Sequence, residues 1–158
     1  MSSKLRFHYP LEPVLLTRQW DLDALLLELG HANQSLAMLR AELQKLGEHS
    51  DAVVTQWKLQ SEKPDGMSID RFATVTRYMQ DITTRFEAQQ KLITQREQKR
   101  DALVEKVVIA RKKVDAVEQH RDELRGEFFK SQLSGQFKTL DDHWSLLQQR
   151  KEKHVGEY

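Results

Sequence analysis

Apolar residues recur at alternating steps of three and four along two stretches of the chain. The first reads Leu15, Leu22, Leu25, Leu29, Ala32, Leu36, Leu39, Leu43, Leu46, Val53 and Trp57, with Arg18 and Ser50 as polar interruptions. The second reads Phe72, Val75, Met79, Ile82, Phe86, Ile93, Leu103, Val107, Ala110, Val114, Val117, Leu124 and Phe128. It is interrupted by Gln89, Arg96, Arg100 and Arg121 but never slips register. A 3.5-residue repeat keeps one narrow stripe of a helix against a partner, so each stretch predicts a coiled-coil helix.

Between them lies Ser61-Glu62-Lys63-Pro64-Asp65-Gly66-Met67-Ser68. Pro64 cannot continue a helix, Pro-Asp-Gly is a turn signature, and Ser68 is suited to cap the helix that follows. Two seamed helices joined by so short a turn fold back on each other. The expectation is an all-α chain, a long antiparallel two-helix coiled-coil hairpin. It forms a single domain over 1–158, with helix 1 at about 11–61, a turn at 62–68 and helix 2 at about 69–132. After Gly126 and Gly135, the residues Phe137, Leu140, Trp144 and Leu147 predict an amphipathic extension at 136–150. It either continues helix 2 in a shifted register or forms a short helix of its own. The polar tail from Gln148 onward is expected to fray.

With Gly66 at the apex, Trp57 faces Val75, Leu43 faces Gln89, Leu29 faces Leu103 and Leu15 faces Val117. That register offers the flanking pairs Asp21 with Lys113 and Glu28 with Lys106. Gly30 and Gly47, each costing about 1 kcal/mol relative to alanine, make helix 1 the less rigid arm.

Composition adds exclusions. The formal net charge of +1 gives no global pull toward nucleic acid or an anionic membrane. The chain has no cysteine, hence no disulfide framework and no thiolate metal site, which fits a reducing compartment. Met1 to Pro13 lacks the apolar core of a cleavable secretory signal. Val14 to Leu29 is broken by Arg18, Asp21, Asp23 and Glu28 and cannot span a bilayer. There is no phosphate-binding glycine loop, nucleophile elbow or metal-spaced cluster. His120-Arg121-Asp122 spells part of a kinase catalytic loop by chance, inside a helix and without its partner motifs. Neither enzymatic activity nor a cofactor is expected.

What remains is contact chemistry. The segment Arg96, Lys99, Arg100, Lys106, Arg111, Lys112 and Lys113 is either a solvated helix face or a docking surface for an acidic partner. Near the turn, Trp57, Phe72, Tyr78, Met79 and Phe86 make an aromatic-rich tip, where core packing competes with a binding role. Far from it, Leu124, Phe128, Phe129, Phe137, Leu140 and Trp144 lie where helix 2 outruns helix 1. They either await a partner or form a compact cap with Phe7, Tyr9, Leu11 and Trp20. A generic scaffolding coiled coil that dimerises through this end is the alternative to a specific adaptor.

Two long antiparallel helices without catalytic motifs resemble the FliJ/YscO family of type III secretion stalk proteins. The local match is best at Gly66 to Phe86, GMSIDRFATVTRYMQDITTRF. The resemblance implies a fold similar to the coiled coil of the rotary ATPase γ subunit. It also implies a cytoplasmic protein peripherally associated with a secretion apparatus at the inner membrane, flagellar or injectisome. The implied partners are a hexameric secretion ATPase, the cytoplasmic domain of the export gate and chaperones of secreted substrates, with no nucleic acid and no membrane insertion. The helix ends at the termini would meet the ATPase. Val53, Val54, Trp57, Tyr78, Met79, Thr83 and Phe86 near the tip would face the gate.

Overall fold

The computed structural model describes residues 6–66 and 68–155. The first residues of the N-terminal stretch examined for a signal, Met67 of the turn and the end of the tail lie outside them. Two helices account for nearly all of the described chain: α1, Glu12–Ser61, and α2, Ile69–Val155. They form an antiparallel hairpin.

Local chemistry explains the boundaries. Pro13 lies in the first turn of α1, where its missing N–H costs nothing, and Glu12 complements the helix dipole. After Ser61 the chain tightens, with Gly66 N–H donating to the Lys63 carbonyl at 3.0 Å. Gly66 has φ of 61°, a left-handed conformation that glycine adopts without steric cost. Ser68 caps α2 through its Oγ, which accepts from Arg71 N–H at 3.3 Å.

The contacts divide the molecule into two compact units. One is Asp21–Ile109; the other joins the chain up to Trp20 with the part from Ala110 onward. In the Asp21–Ile109 unit the apolar stripes of α1 and α2 meet over Leu36, Ile82 and Ile93, all buried. Phe86 approaches α1 at Gly47, where an added methyl would still meet its ring at an ordinary 4.0 Å. The polar seam residue Gln89 is not wasted: its amide donates to the Leu39 carbonyl at 3.3 Å and to Glu42 at 3.1 Å. Arg40 pairs with Glu97 across the helices. The expected seam residue Arg96 is exposed and its neighbour Glu97 half-buried, because that ion pair draws Glu97 toward α1. Glu28 and Lys106 share a hollow without closing an ion pair.

In the other unit Leu15 and Val114 are buried. Gln19 donates to Glu118 at 3.3 Å. Residues 6–11 precede α1 as a non-helical strap lying on α2. Tyr9, only 4% exposed, places its hydroxyl 3.2 Å from the Val117 carbonyl and 3.0 Å from His120 Nδ1. Phe7 packs on Phe128 with ring centroids 5.6 Å apart. Of the expected cap, Phe7 and Tyr9 take part, whereas Leu11 and Trp20 stay exposed.

The end of α2 decides between the two expected arrangements. The helix does not stop near Gln132 but runs unbroken through Gly135 to Val155, so residues 136–150 continue it rather than form a separate helix. Nothing crowds Gly126 or Gly135. Each costs about 1 kcal/mol in an exposed helix, and no proline follows to convert that cost into a stop.

Candidate protein-docking surfaces

Three surfaces stand out. Beside the turn, a hollow of about 840 Å³ opens between α1 and α2. Val54, Trp57, Phe72, Val75 and Met79 form its apolar floor, and Thr76, Gln80, Thr83, Thr84 and Glu87 its rim. Trp57 and Phe72 stack at a tilt with centroids 6.3 Å apart. The Thr76, Thr83 and Thr84 hydroxyls donate back to the carbonyls of Phe72, Met79 and Gln80 at 2.9–3.0 Å. Their donors are therefore spent within the helix, and these three threonines offer methyl groups and lone pairs, with Glu87 as the rim's one charge. Such a surface suits a partly apolar partner segment.

Four of the expected tip residues, Val54, Trp57, Met79 and Thr83, come together in this hollow. Val53 and Phe86 do not line it and are half-buried. Tyr78 is also elsewhere, with its hydroxyl bonded to His49 Nε2 and the two rings edge-to-face. The rim residues Thr76, Gln80 and Thr84 were not singled out in the sequence. The signal was present, since Thr76, Gln80, Thr83 and Glu87 each follow a seam residue by one position, on the flank that borders α1.

The second surface lies on α2 beyond Phe128. Phe137, Leu140 and Trp144 are 65%, 64% and 67% exposed. Phe129, Leu133 and Leu147 complete a stripe with three-and-four spacing and no covering element among the described residues. Leu124 and Phe128 are instead half-buried, Phe128 beneath Phe7. Leu133 was missed because the seam shifts by one position after Phe128, and Leu147, read as part of the extension, was not among the expected site residues.

The predicted basic segment is split. Arg96, Lys99 and Lys106 line a hollow of about 510 Å³ with Glu28 and His31 in the Asp21–Ile109 unit. Arg100 turns aside to Asp101 at 2.8 Å. Arg111, Lys112 and Lys113 belong to the other unit and form no ion pair among the described residues. No group of side chains able to hold a metal ion occurs among the described residues, and no helix there is long and apolar enough to cross a membrane.

The family model described as Flagellar FliJ protein matches residues 7–153, nearly the whole chain. The chain belongs to the FliJ family. FliJ-type chains are structural, stalk-type components of flagellar and type III export, and their partners are parts of that export apparatus. Among solved structures, CT670 from Chlamydia trachomatis, taken to be a YscO homologue, is similar at 18% identity. The match covers 94% of this chain and 99% of that one, with a TM-score of 0.45. A comparison with curated proteins gave no match.

Proposed function

We propose that this FliJ-family chain couples a hexameric secretion ATPase to the cytoplasmic domain of the export gate. The unit holding the N-terminal strap and the end of α2 docks on the ATPase through Phe129, Phe137, Leu140 and Trp144. The unit holding the turn docks on the gate through the hollow of Val54, Trp57, Met79 and Thr83. The reading rests chiefly on the α2 stripe from Phe129 to Leu147. An apolar ridge at coiled-coil spacing with no covering element among the described residues suits a helix that docks on a partner. The basic hollow of Arg96, Lys99 and Lys106 offers a site for acidic chaperones of secreted substrates. The protein then works in the cytoplasm at the inner membrane, beside the apparatus it serves.

Mixing the full chain with a hexameric secretion ATPase from the same genome tests the reading. It predicts a rise in ATP hydrolysis that is lost in a Phe137→Ser, Trp144→Ser variant. No binding and no rise would count decisively against it. The same stripe spacing also suits a second copy, the scaffolding alternative. Sedimentation separates the two: a concentration-dependent dimer that dissociates in the Phe137→Ser, Trp144→Ser variant favours self-association.

A further inference from the structure

Between the N-terminal strap and α2 lies a hollow of about 760 Å³ lined by Arg6, His8, Glu12, Arg121, Arg125 and Phe129, beside the anchored Phe7 and Tyr9. Three guanidinium groups and an imidazole thus face a space that holds a single carboxylate. Among the described residues, no acidic group pairs with Arg6 or Arg125. Arg121 reaches only its sequence neighbour Asp122, at a long 3.4 Å. Glu12 lines the same space without closing an ion pair.

The strap is held in place. Tyr9 is anchored to Val117 and His120, and Phe7 to Phe128, so the backbone that carries Arg6 and His8 is fixed over α2. The Arg125 guanidinium lies 5.8 Å from the centre of the Phe129 ring, which orients it while leaving its N–H groups unspent. Three guanidinium groups against one carboxylate leave a net positive charge that raises the local potential and favours an incoming anion. Planar guanidinium forks match carboxylates two bonds at a time.

We propose that this hollow is a carboxylate-binding site for an acidic segment of a partner protein. Phe129 lines the hollow and also begins the exposed stripe that continues to Leu133 and Phe137. The segment that fits carries carboxylates at one end and an apolar ridge along the rest, so that charge and ridge engage in one continuous contact. The inference goes beyond the docking reading above; its apolar half rests on the stripe which that reading uses, and its charged half is tested apart from it.

The test uses the full chain and two labelled helical peptides, one with glutamates at one end and leucines at three-and-four spacing, the other with each glutamate replaced by glutamine. Fluorescence anisotropy reads binding. The acidic peptide binds, and more weakly as salt is raised. Arg6→Gln with Arg125→Gln weakens it by about tenfold or more, while Arg6→Lys with Arg125→Lys, which keeps the charge and loses the fork, weakens it less. Lys45→Gln with Lys58→Gln, which removes as much charge from α1 away from these hollows, leaves it unchanged. Circular dichroism melts of the variants exclude loss of fold as the cause. Equal binding of the glutamine peptide overturns the proposal, as does an equal loss in the Lys45, Lys58 variant. Calorimetric binding of inorganic phosphate that displaces the acidic peptide and disappears with Arg6→Gln and Arg125→Gln assigns the hollow to phosphate and overturns the peptide reading.

Discussion

Gln89 of α2 donates its side-chain amide to the backbone carbonyl of Leu39 in α1 at 3.3 Å. It is a polar residue set into an apolar seam and satisfied there, with Glu42 as a second acceptor. Such a residue holds the register of a coiled coil at some cost in stability. Gln89→Leu is therefore expected to raise stability to denaturant by about 1 kcal/mol while loosening the alignment. Urea melts read the first effect, and cross-linking between cysteines placed at 46 and 86 reads the second. A clear fall in stability would show that the hydrogen bonds outweigh the apolar gain.

The strap gives a second expectation. Tyr9→Phe removes the hydroxyl that meets the Val117 carbonyl and His120 while keeping the buried ring. The cost should be about 1 kcal/mol, against roughly 3–5 kcal/mol for Tyr9→Ala, which also empties the ring's place. Hydrogen exchange should show the loss concentrated near Val117 to Phe128.

Two glycines should respond with opposite signs. Gly30 lies inside α1 with open space around it, so Gly30→Ala is expected to stabilise the chain by about 1 kcal/mol. Gly66 holds a positive φ, so Gly66→Ala should destabilise it by about 1 kcal/mol. Thermal melts of the two variants side by side decide the matter. A shift of the same sign in both would contradict the helix and turn assignments.

Seam and surface positions should differ sharply. Leu36 is almost fully buried, and Leu36→Ala is expected to cost about 2–4 kcal/mol. Leu27, exposed nine positions earlier in α1, should tolerate alanine within about 0.5 kcal/mol. Chemical denaturation measures both.

How far these features were readable in the sequence depends on the range over which each is determined. The seams were legible because the period is local: Leu15, Leu36, Ile82, Ile93 and Val114 are all apolar members of the three-and-four pattern, and all are buried. The Ser68 cap was legible for the same reason. The exchange of Arg96 for Glu97 at the seam was not, because it depends on Arg40 in the other helix. The end of α2 was left open because Gly135 precedes the run from Phe137, and only the unbroken helix through it decides for continuation. The basic hollow was invisible, since Arg6 and Arg125 stand far apart in the chain and meet only when the strap folds onto α2.

The central claim is that the two units carry separate docking surfaces for different parts of the export apparatus. Co-purification of full-length variants with a hexameric secretion ATPase and with the cytoplasmic domain of the export gate tests it most directly. Phe137→Glu with Trp144→Glu should abolish ATPase capture and leave gate capture intact, and Val54→Glu with Met79→Glu should do the reverse. Variants that lose both partners together while remaining folded, or that lose neither, would contradict it.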